Sequence, residues 1–388
     1  MPPEKAEKKF SISRVGSWYA RFERPISSFS LVGGFVFDAL TLKRVDMFWE
    51  NFWVVAHLLL VAICILLINI GENEGLDADD PFNAIQGRPE SNRMDDPEKI
   101  RFWLVNILQF LFGGLLSTFL VFYFRSGSLA VSWPFFLILA AAFVANESFK
   151  KRYVRLSFQI GLFFLSIFSF AVFLVPIVLR RIGPDMFLLS GGASIALIIA
   201  FLFVLNKFAG EKFSKSKRII FFAVSGIFLA MNILYFLNVI PPIPLSLKDA
   251  GVYHSLTRNA NGDYAVTGES YGGWQSFFGL PEDFHETPGG AVYAYSAIFS
   301  PTDLNATIAH EWQMYDGHFG KWVTKTRVEL PLVGGREGGY RTYSMKNELA
   351  PGRWRVNVET ARGELIGRLR FNVIFQIAEP ELVTDIKS

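Results

Sequence analysis

The residues whose types and spacing bear on chemistry lie in the C-terminal third of the chain. Between Arg353 and Val358, arginine and asparagine alternate with Trp354, Val356 and Val358. Between Leu365 and Val373, Leu365, Gly367, Leu369, Phe371 and Val373 alternate with Arg368, Arg370 and Asn372. Period-two alternation marks two half-buried strands. If Arg362-Gly363 is the two-residue turn between them, Arg355 lies directly opposite Arg370. Facing like charges are unfavourable, so the pair calls for a neighbouring acid such as Glu329 or Glu337, or for a bound anion. In Ile308–Met314, His310 shares a face with Ile308, Trp312 and Met314, which predicts a partly buried, hydrogen-bonded imidazole. His310-Glu311 begins like the zinc motif HExxH, but position 314 is Met and the segment reads as a strand, so the motif is rejected. The run Gly334-Gly335-Arg336-Glu337-Gly338-Gly339 lacks the GK[ST] ending and strand-to-helix setting of a phosphate loop and reads as a turn. With Tyr340 and Arg341 beside it, it is the best exposed ligand-binding candidate. The candidate binding residues are Arg336, Tyr340, Arg341, Arg355, Arg370 and His310. No nucleophile–base spacing, paired acids or metal-ligand cluster points to catalysis, a metal or another cofactor.

These residues need a scaffold of strands. Short alternating runs at Ala291–Phe299, Thr307–Tyr315, Trp322–Leu330, Tyr340–Met345, Arg353–Thr360 and Leu365–Gln376, separated by turn residues, predict an all-β, immunoglobulin-like sandwich over 291–376. Residues 241–290 show little period and read as a linker and irregular segment, and 377–388 as a tail.

The remainder is a different kind of polymer. Of the 388 residues, 51% are hydrophobic and 19% charged, and the apolar excess falls before Pro241. A helix needs ~20 apolar residues to cross a bilayer. Phe52–Ile70, Phe102–Phe124, Leu156–Leu179, Met186–Leu205 and Ile219–Ile240 meet that length, and Leu129–Ala145, slightly short, carries no charge. A seventh stretch, Ile26–Leu42, contains Gly33-Gly34 and Asp38 and is ambiguous by hydropathy. Too many helices are apolar on every face for a soluble domain to cover. A helical membrane domain over 26–240, with about seven spans of which six are clear, follows from this, preceded by a cytoplasmic segment, 1–25.

Lys and Arg decide the seventh span. If Ile26–Leu42 crosses, one side of the membrane holds 19 basic residues and the other, ahead of the β domain, five; if it does not, the counts are 13 and 11. Basic residues collect in cytoplasmic loops, so the N-terminus is expected in the cytoplasm and the β domain outside. Asp38 reads as a carboxylate in the headgroup region beside Lys43 and Arg44, and His57 as a packing residue; an ion or proton site is the functional alternative for Asp38. Gly113-Gly114 and Gly191-Gly192-Ala193-Ser194 mark close helix contacts. The lone Cys64 excludes a disulfide within one chain. No basic stripe or motif supports a nucleic-acid partner.

Val292–Ser300, His310-Glu311-Trp312, Gly335–Ser344 and Pro351-Gly352-Arg353-Trp354-Arg355-Val356, in that order, resemble a bacterial family, domain of unknown function twenty-nine fourteen, over roughly 285–375. Gly33–Asp46 is similar to the N-terminus of multi-spanning proteins that end in such a domain. The resemblance implies a bacterial inner-membrane setting with a periplasmic domain, and supplies no activity and no site residues. The expected function is a binding or interaction module presented by the bilayer to an envelope polymer or protein. The alternative is a transporter or channel for a neutral or lipid-like substrate, with a regulatory ectodomain.

Overall fold

The structure is a computed structural model describing residues 33–42, 47–70, 97–126, 129–148, 150–240, 244–269, 281–286, 289–301, 304, 306–336, 338–376 and 380–387. Helices come first: α1 (33–41), α2 (Phe48–Ile70), α3 (Pro97–Ser126), α4 (Leu129–Ser148), a short 3-10 turn (Lys150–Val154), α5 (Leu156–Leu179) and α6 (Pro184–Phe236). Four of them, α2, α3, α5 and α6, are long and apolar enough to cross a membrane, and α4 holds a shorter apolar stretch, Phe135–Val144. Large apolar side chains stand bare on them: Phe203 is 76% exposed and Trp49 74%. Water would not tolerate that much apolar surface, whereas lipid does. The helices mark a membrane protein.

Helix α6 is not one rod. Phe187 and Tyr235, 48 residues apart, stack with ring centroids 3.8 Å apart. In a straight helix they would be separated by about 72 Å. The chain folds back at Ala209, whose backbone leaves helical geometry (φ −136°, ψ 43°). Residues 206–218, expected as a loop, are otherwise helical, so the reversal takes one residue. The two arms close on each other through the small residues that the sequence singled out. A Cβ on Gly191 would lie 3.0 Å from the Phe228 ring and 3.2 Å from that of Phe168. Asn69 on α2 donates to Gln159 on α5 at 2.8 Å, a buried polar tie between helices.

The last helix ends before the prolines. Asn238 adopts a left-handed conformation (φ 56°), and the Val239 amide returns to the Leu234 carbonyl at 2.9 Å. A left-handed asparagine just past the end, with proline beyond, is a helix stop.

The β-rich region holds eleven strands: β1 (Ser246–Tyr253), β2 (Ser255–Arg258), β3 (Tyr264–Glu269), β4 (Glu282–Glu286), β5 (Ala291–Phe299), β6 (Ala306–Asp316), β7 (Lys321–Leu332), β8 (Tyr340–Asn347), β9 (Gly352–Thr360), β10 (Leu365–Phe375) and β11 (Leu382–Lys387). They form sheets ordered β1-β5-β8, β4-β10-β9-β6-β7 and β11-β3-β2. The first two face each other across a shared core of Val252, Val292 and Ala294 on one side and Trp312, Trp354, Val356 and Phe371 on the other. The third lies on the reverse side of β1-β5-β8, where Leu256, Tyr264 and Val266 meet Tyr295 and Ala297. The stretch 241–290, expected to be irregular, therefore contributes four strands, and the expected tail contributes β11. Backbone pairing rather than an apolar face holds such segments: β11 is exposed over Leu382–Ile386 yet pairs with β3 along its whole length. Edge strands of this kind lack the alternation that betrays a strand in sequence.

Candidate functional site

The β9–β10 hairpin builds the site. Its loop is Ala361-Arg362-Gly363, one residue longer than expected, with the Thr360 amide donating to the Glu364 carbonyl at 2.8 Å and Gly363 at φ 87°. Three-residue loops of this kind place a left-handed residue, here glycine, at their last position. A bulge between Leu365 and Gly367 takes up the extra residue, and the expected register returns: Arg370 faces Arg355, and Phe371 faces Trp354. Trp354, Val356 and Phe371 enter the core; the arginines stand on the outer face.

That outer face is organised in rows across β7, β6, β9 and β10. One row above Glu359 and Glu329, Arg368 Nε donates to Asn357 Oδ1 at 2.7 Å and Asn357 Nδ2 to Glu311 Oε2 at 3.0 Å, and Thr324, from the row beyond, donates to Glu311 Oε1 at 2.7 Å. Arg327 pairs with Glu359. In the next row, Arg355 Nε donates to Gln313 Oε1 at 2.6 Å, and its guanidinium lies 4.3 Å from the centre of the Trp322 ring. One row further, Arg353 lies 3.7 Å from the centre of the Tyr315 ring. Arginine on aromatic faces is held flat and partly dehydrated. Glu329, expected to neutralise Arg355 and Arg370, pairs with Ala309 instead, four residues along β6 from Gln313. Glu337 lies outside the described residues. Around Arg355, a neutral amide and an indole stand in direct contact, with the charge of Glu311 acting from the neighbouring row.

Electrostatics reflect that. Burial first, then Arg355 and Arg370, pulls the Arg368 guanidinium down to about 10. Burial and Arg370 lower Arg355 as well. Burial pushes Glu311 up, but hydrogen bonds from Thr324 and Asn357 outweigh it and hold the carboxyl below its ordinary value. Arg327, Arg353, Arg355, Arg368 and Arg370 share this face with Glu311, Glu359, Glu329 and Asp283, so acid and base are interspersed and the arginines exceed the acids by one among these residues.

The other candidates are dispersed. His310 is buried and enclosed: Nε2 is 2.9 Å from Ser296 Oγ, Nδ1 is 2.9 Å from Ser344 Oγ, and Trp312 Nε1 donates to Ser344 Oγ at 2.9 Å. Burial lowers its pKa to about 4. It bridges the two facing sheets, with both ring nitrogens engaged by serine hydroxyls. Arg341 is tied to Asp263 at 3.3 Å. Arg336 lies over Tyr340, 5.4 Å from its centre. Of the six, Arg355 and Arg370 meet on the outer face, and Arg336 and Tyr340 meet beside the glycine run. That run is shaped by packing. At Gly339 the backbone has φ 89°, and a Cβ would lie 2.9 Å from the Ala297 carbonyl carbon and the Ile298 nitrogen.

Two features escaped the sequence. Gln313 and Trp322 complete the arginine face through cross-strand register, which no single segment reveals. Glu269 receives His254 at 3.1 Å and both the ring and the backbone amide of His285 at 2.7 Å, joining β3 to the edge strand β4; these residues lie in the stretch without period. Among the described residues, no group of three or more His, Cys, Asp or Glu is arranged to hold a metal. Inside the helices, Asp38 lies beside Ser117 and within electrostatic reach of His57.

The hairpin tip meets the helices. Glu364 accepts from the Tyr235 hydroxyl, and Arg362 reaches Asp185 at 3.3 Å. Ile182, between α5 and α6, packs into the core cluster of Ile298, Ile308, Val358 and Ile366.

Apolar helices followed by a β-rich region define the class: a membrane protein carrying a C-terminal β module. The module matches the family model described as protein of unknown function (DUF2914), over residues 305–373. No curated protein matches the chain. Among solved structures, β-glucosidase from Listeria innocua in complex with gluconolactone is similar at 12% identity and TM-score 0.18, over 32% of this chain and 16% of that one. Alkylpurine DNA glycosylase AlkC from Pseudomonas fluorescens, bound to DNA containing an abasic site analog, is similar at 11% identity and TM-score 0.21, over 72% of this chain and 82% of that one. Likeness this low carries no argument about fold or activity.

Proposed function

We propose that the helices anchor an immunoglobulin-like β module on the outer side of a bacterial inner membrane, where its arginine face binds an acidic envelope polymer. The observation that carries the reading is the direct opposition of Arg355 and Arg370 beside Arg368, flanked by Trp322 and Tyr315. Facing arginines are relieved by opposite charge, which a bound anion can add to what neighbouring groups supply, and planar guanidiniums suit bidentate capture of carboxylate or phosphate. Seven crossings with a cytoplasmic N-terminus are supported by the basic-residue count, 19 against five, and by the reversal at Ala209, which turns α6 into two crossings. A reporter fused after Ser388 and active in the cytoplasm would overturn this placement.

The binding test uses the full chain in nanodiscs, with polyphosphate and polygalacturonate as probes and dextran as the neutral control. Arg355→Gln with Arg370→Gln is expected to weaken polyanion binding at least about tenfold, roughly 1.4 kcal/mol, and to flatten its salt dependence. Unchanged affinity in a folded double variant sinks the reading. A transport role is the second reading, favoured by Asp38 lying near His57 inside the helices. A phenotype lost in Asp38→Asn and kept in the arginine variant would favour it.

A further inference from the structure

We propose that Asp38 and His57 form a proton-binding pair where α1, α2 and α3 meet, with His57 Nε2 as the atom that takes the proton and Asp38 as its countercharge. Such a site deepens the transport reading, on which it rests, by naming the ion as a proton.

Three helices supply the parts. On α1 and the residue after it, the covered side chains are Phe35, Asp38, Ala39 and Leu42, and the others are exposed. These fall at i, i+3, i+4 and i+7, one face of a helix. Asp38 therefore stands on the packed face of α1, between Phe35, whose ring lies 5.8 Å from that of Phe143 on α4, and buried Leu42. On α2, His57 Nδ1 lies 3.0 Å from the Trp53 carbonyl oxygen. A carbonyl only accepts, so Nδ1 carries the ring hydrogen, and in the neutral imidazole Nε2 is the nitrogen with a lone pair. That nitrogen is turned to α3, where a Cβ on Gly114 would lie 3.6 Å from it. Ser117, one turn on from Gly114 and 2% exposed, lies beside Asp38, and Asp38 is within electrostatic reach of His57.

This arrangement suits a proton. Uptake forms one N–H bond at Nε2 and turns a carboxylate beside a neutral ring into an ion pair, whose attraction is strong among apolar helices. One imidazole nitrogen and one carboxylate are fewer donors than the three or four protein ligands of a zinc site. Along α2 the neighbouring titratable groups are Glu50 and Cys64, each seven residues, about 10 Å, from His57. On α3, Tyr123 is six residues past Ser117, with its ring against Phe135 and Phe173, and the charges lie towards the two ends. The apolar stretches Phe135–Val144 of α4 and Leu156–Leu179 of α5 hold no titratable group. The charges of α6 are Asp185 at its start and those of 207–218 around the reversal. Lys43 and Arg44 lie outside the described residues. Among the described residues, Asp38 is thus the charge set against the ring.

The test reads the proton itself. Full-length protein carrying isotope-labelled histidine, in nanodiscs, is titrated between about pH 5 and 8 and followed by nitrogen NMR. His57→Gln identifies the His57 signals among the five histidines. Nδ1 is expected to keep its hydrogen throughout, and Nε2 to pass from bare to protonated as pH falls. Asp38→Asn is expected to require about tenfold more acid for the same uptake, because the opposite charge is lost. Asp38→Glu is expected to restore most of it. A hydrogen on Nε2 and none on Nδ1 at high pH overturns the assignment of the accepting atom. A ring that does not titrate in this window overturns the site, and titration unchanged in folded Asp38→Asn removes Asp38 from it. Wild-type signals decide the first two points even if Asp38→Asn fails to fold. The titration involves no gradient, so it is separable from transport. A pair that titrates, in proteoliposomes that dissipate no imposed pH gradient, supports the site and sinks the transport reading.

Discussion

His310 shows how a single residue's chemistry is set by its surroundings. In sequence it is one histidine beside a glutamate; in the fold it is an imidazole between two serine hydroxyls in a dry inter-sheet space. Its folded pKa, about 4, lies below the ordinary 6.5. The unfolded chain therefore takes up a proton first as pH falls. The contribution to stability is complete above pH 6.5 and is lost progressively down to pH 4. The loss amounts to about 3 kcal/mol from the size of the shift. Denaturant midpoints measured across this window are expected to fall for the wild type and to fall less for His310→Gln. Glu286 works in the opposite sense: burial raises its carboxyl to about 7, so its contribution is present below the ordinary 4.5 and is lost as pH rises to 7. The comparison between wild type and variant isolates the histidine. A slope unchanged by His310→Gln would show that another group controls the window.

Among the elements, loops carry the finer constraints. Gly339 and Gly363, both between strands, have nearly the same φ, 89° and 87°. Their surroundings differ. A Cβ at 339 would collide with the β5 backbone, while at 363 nothing lies within 4 Å. Alanine at 363 is expected to cost about 1 kcal/mol for its left-handed backbone. Alanine at 339 carries that cost plus the displacement of a neighbouring strand, about 3 kcal/mol or more in all. Thermal unfolding of the two variants is the check, and equal losses would show that β5 yields freely. The alternation of β9 and β10 was legible down to which side chains face inward, because a half-buried strand writes its two faces at period two. The bulge that restores the register was not legible, because it compensates for a loop length that sequence alone leaves open. Strand β11 was missed because it is exposed over Leu382–Ile386 and its pairing is a property of the backbone, whereas β3 alternates but runs for only 6 residues.

At the scale of the whole molecule, the β module is docked as well as tethered. Tyr235 and Glu364, 129 residues apart, are hydrogen-bonded, as are Asp185 and Arg362. A hydrogen bond to a charged group contributes about 1.5–3 kcal/mol. Tyr235→Phe is expected to raise hydrogen exchange at the 360–366 amides several-fold while leaving exchange in β5 and β6 unchanged. Uniform exchange in both proteins would mean that the hairpin is held by its own sheet alone. Docking sets the arginine rows in a stack above the helix ends, with Arg368 lowest and Arg353 highest.

The amino-acid sequence by itself determined that this is a membrane protein with a separate β region, since apolar length and strand alternation are local properties that no tertiary contact can disguise. The expected opposition of Arg355 and Arg370 holds because the extra loop residue and the bulge between Leu365 and Gly367 cancel, which the sequence did not determine. Tertiary structure alone decided what surrounds that pair. Gln313 and Trp322 reach it through pairing with non-neighbouring strands, Glu329 is carried away from it by the same pairing, and His310 is enclosed by serines from a second sheet. Neutralisation, burial and access depend on what lies across a sheet or between layers, and those distances do not exist until the chain has folded.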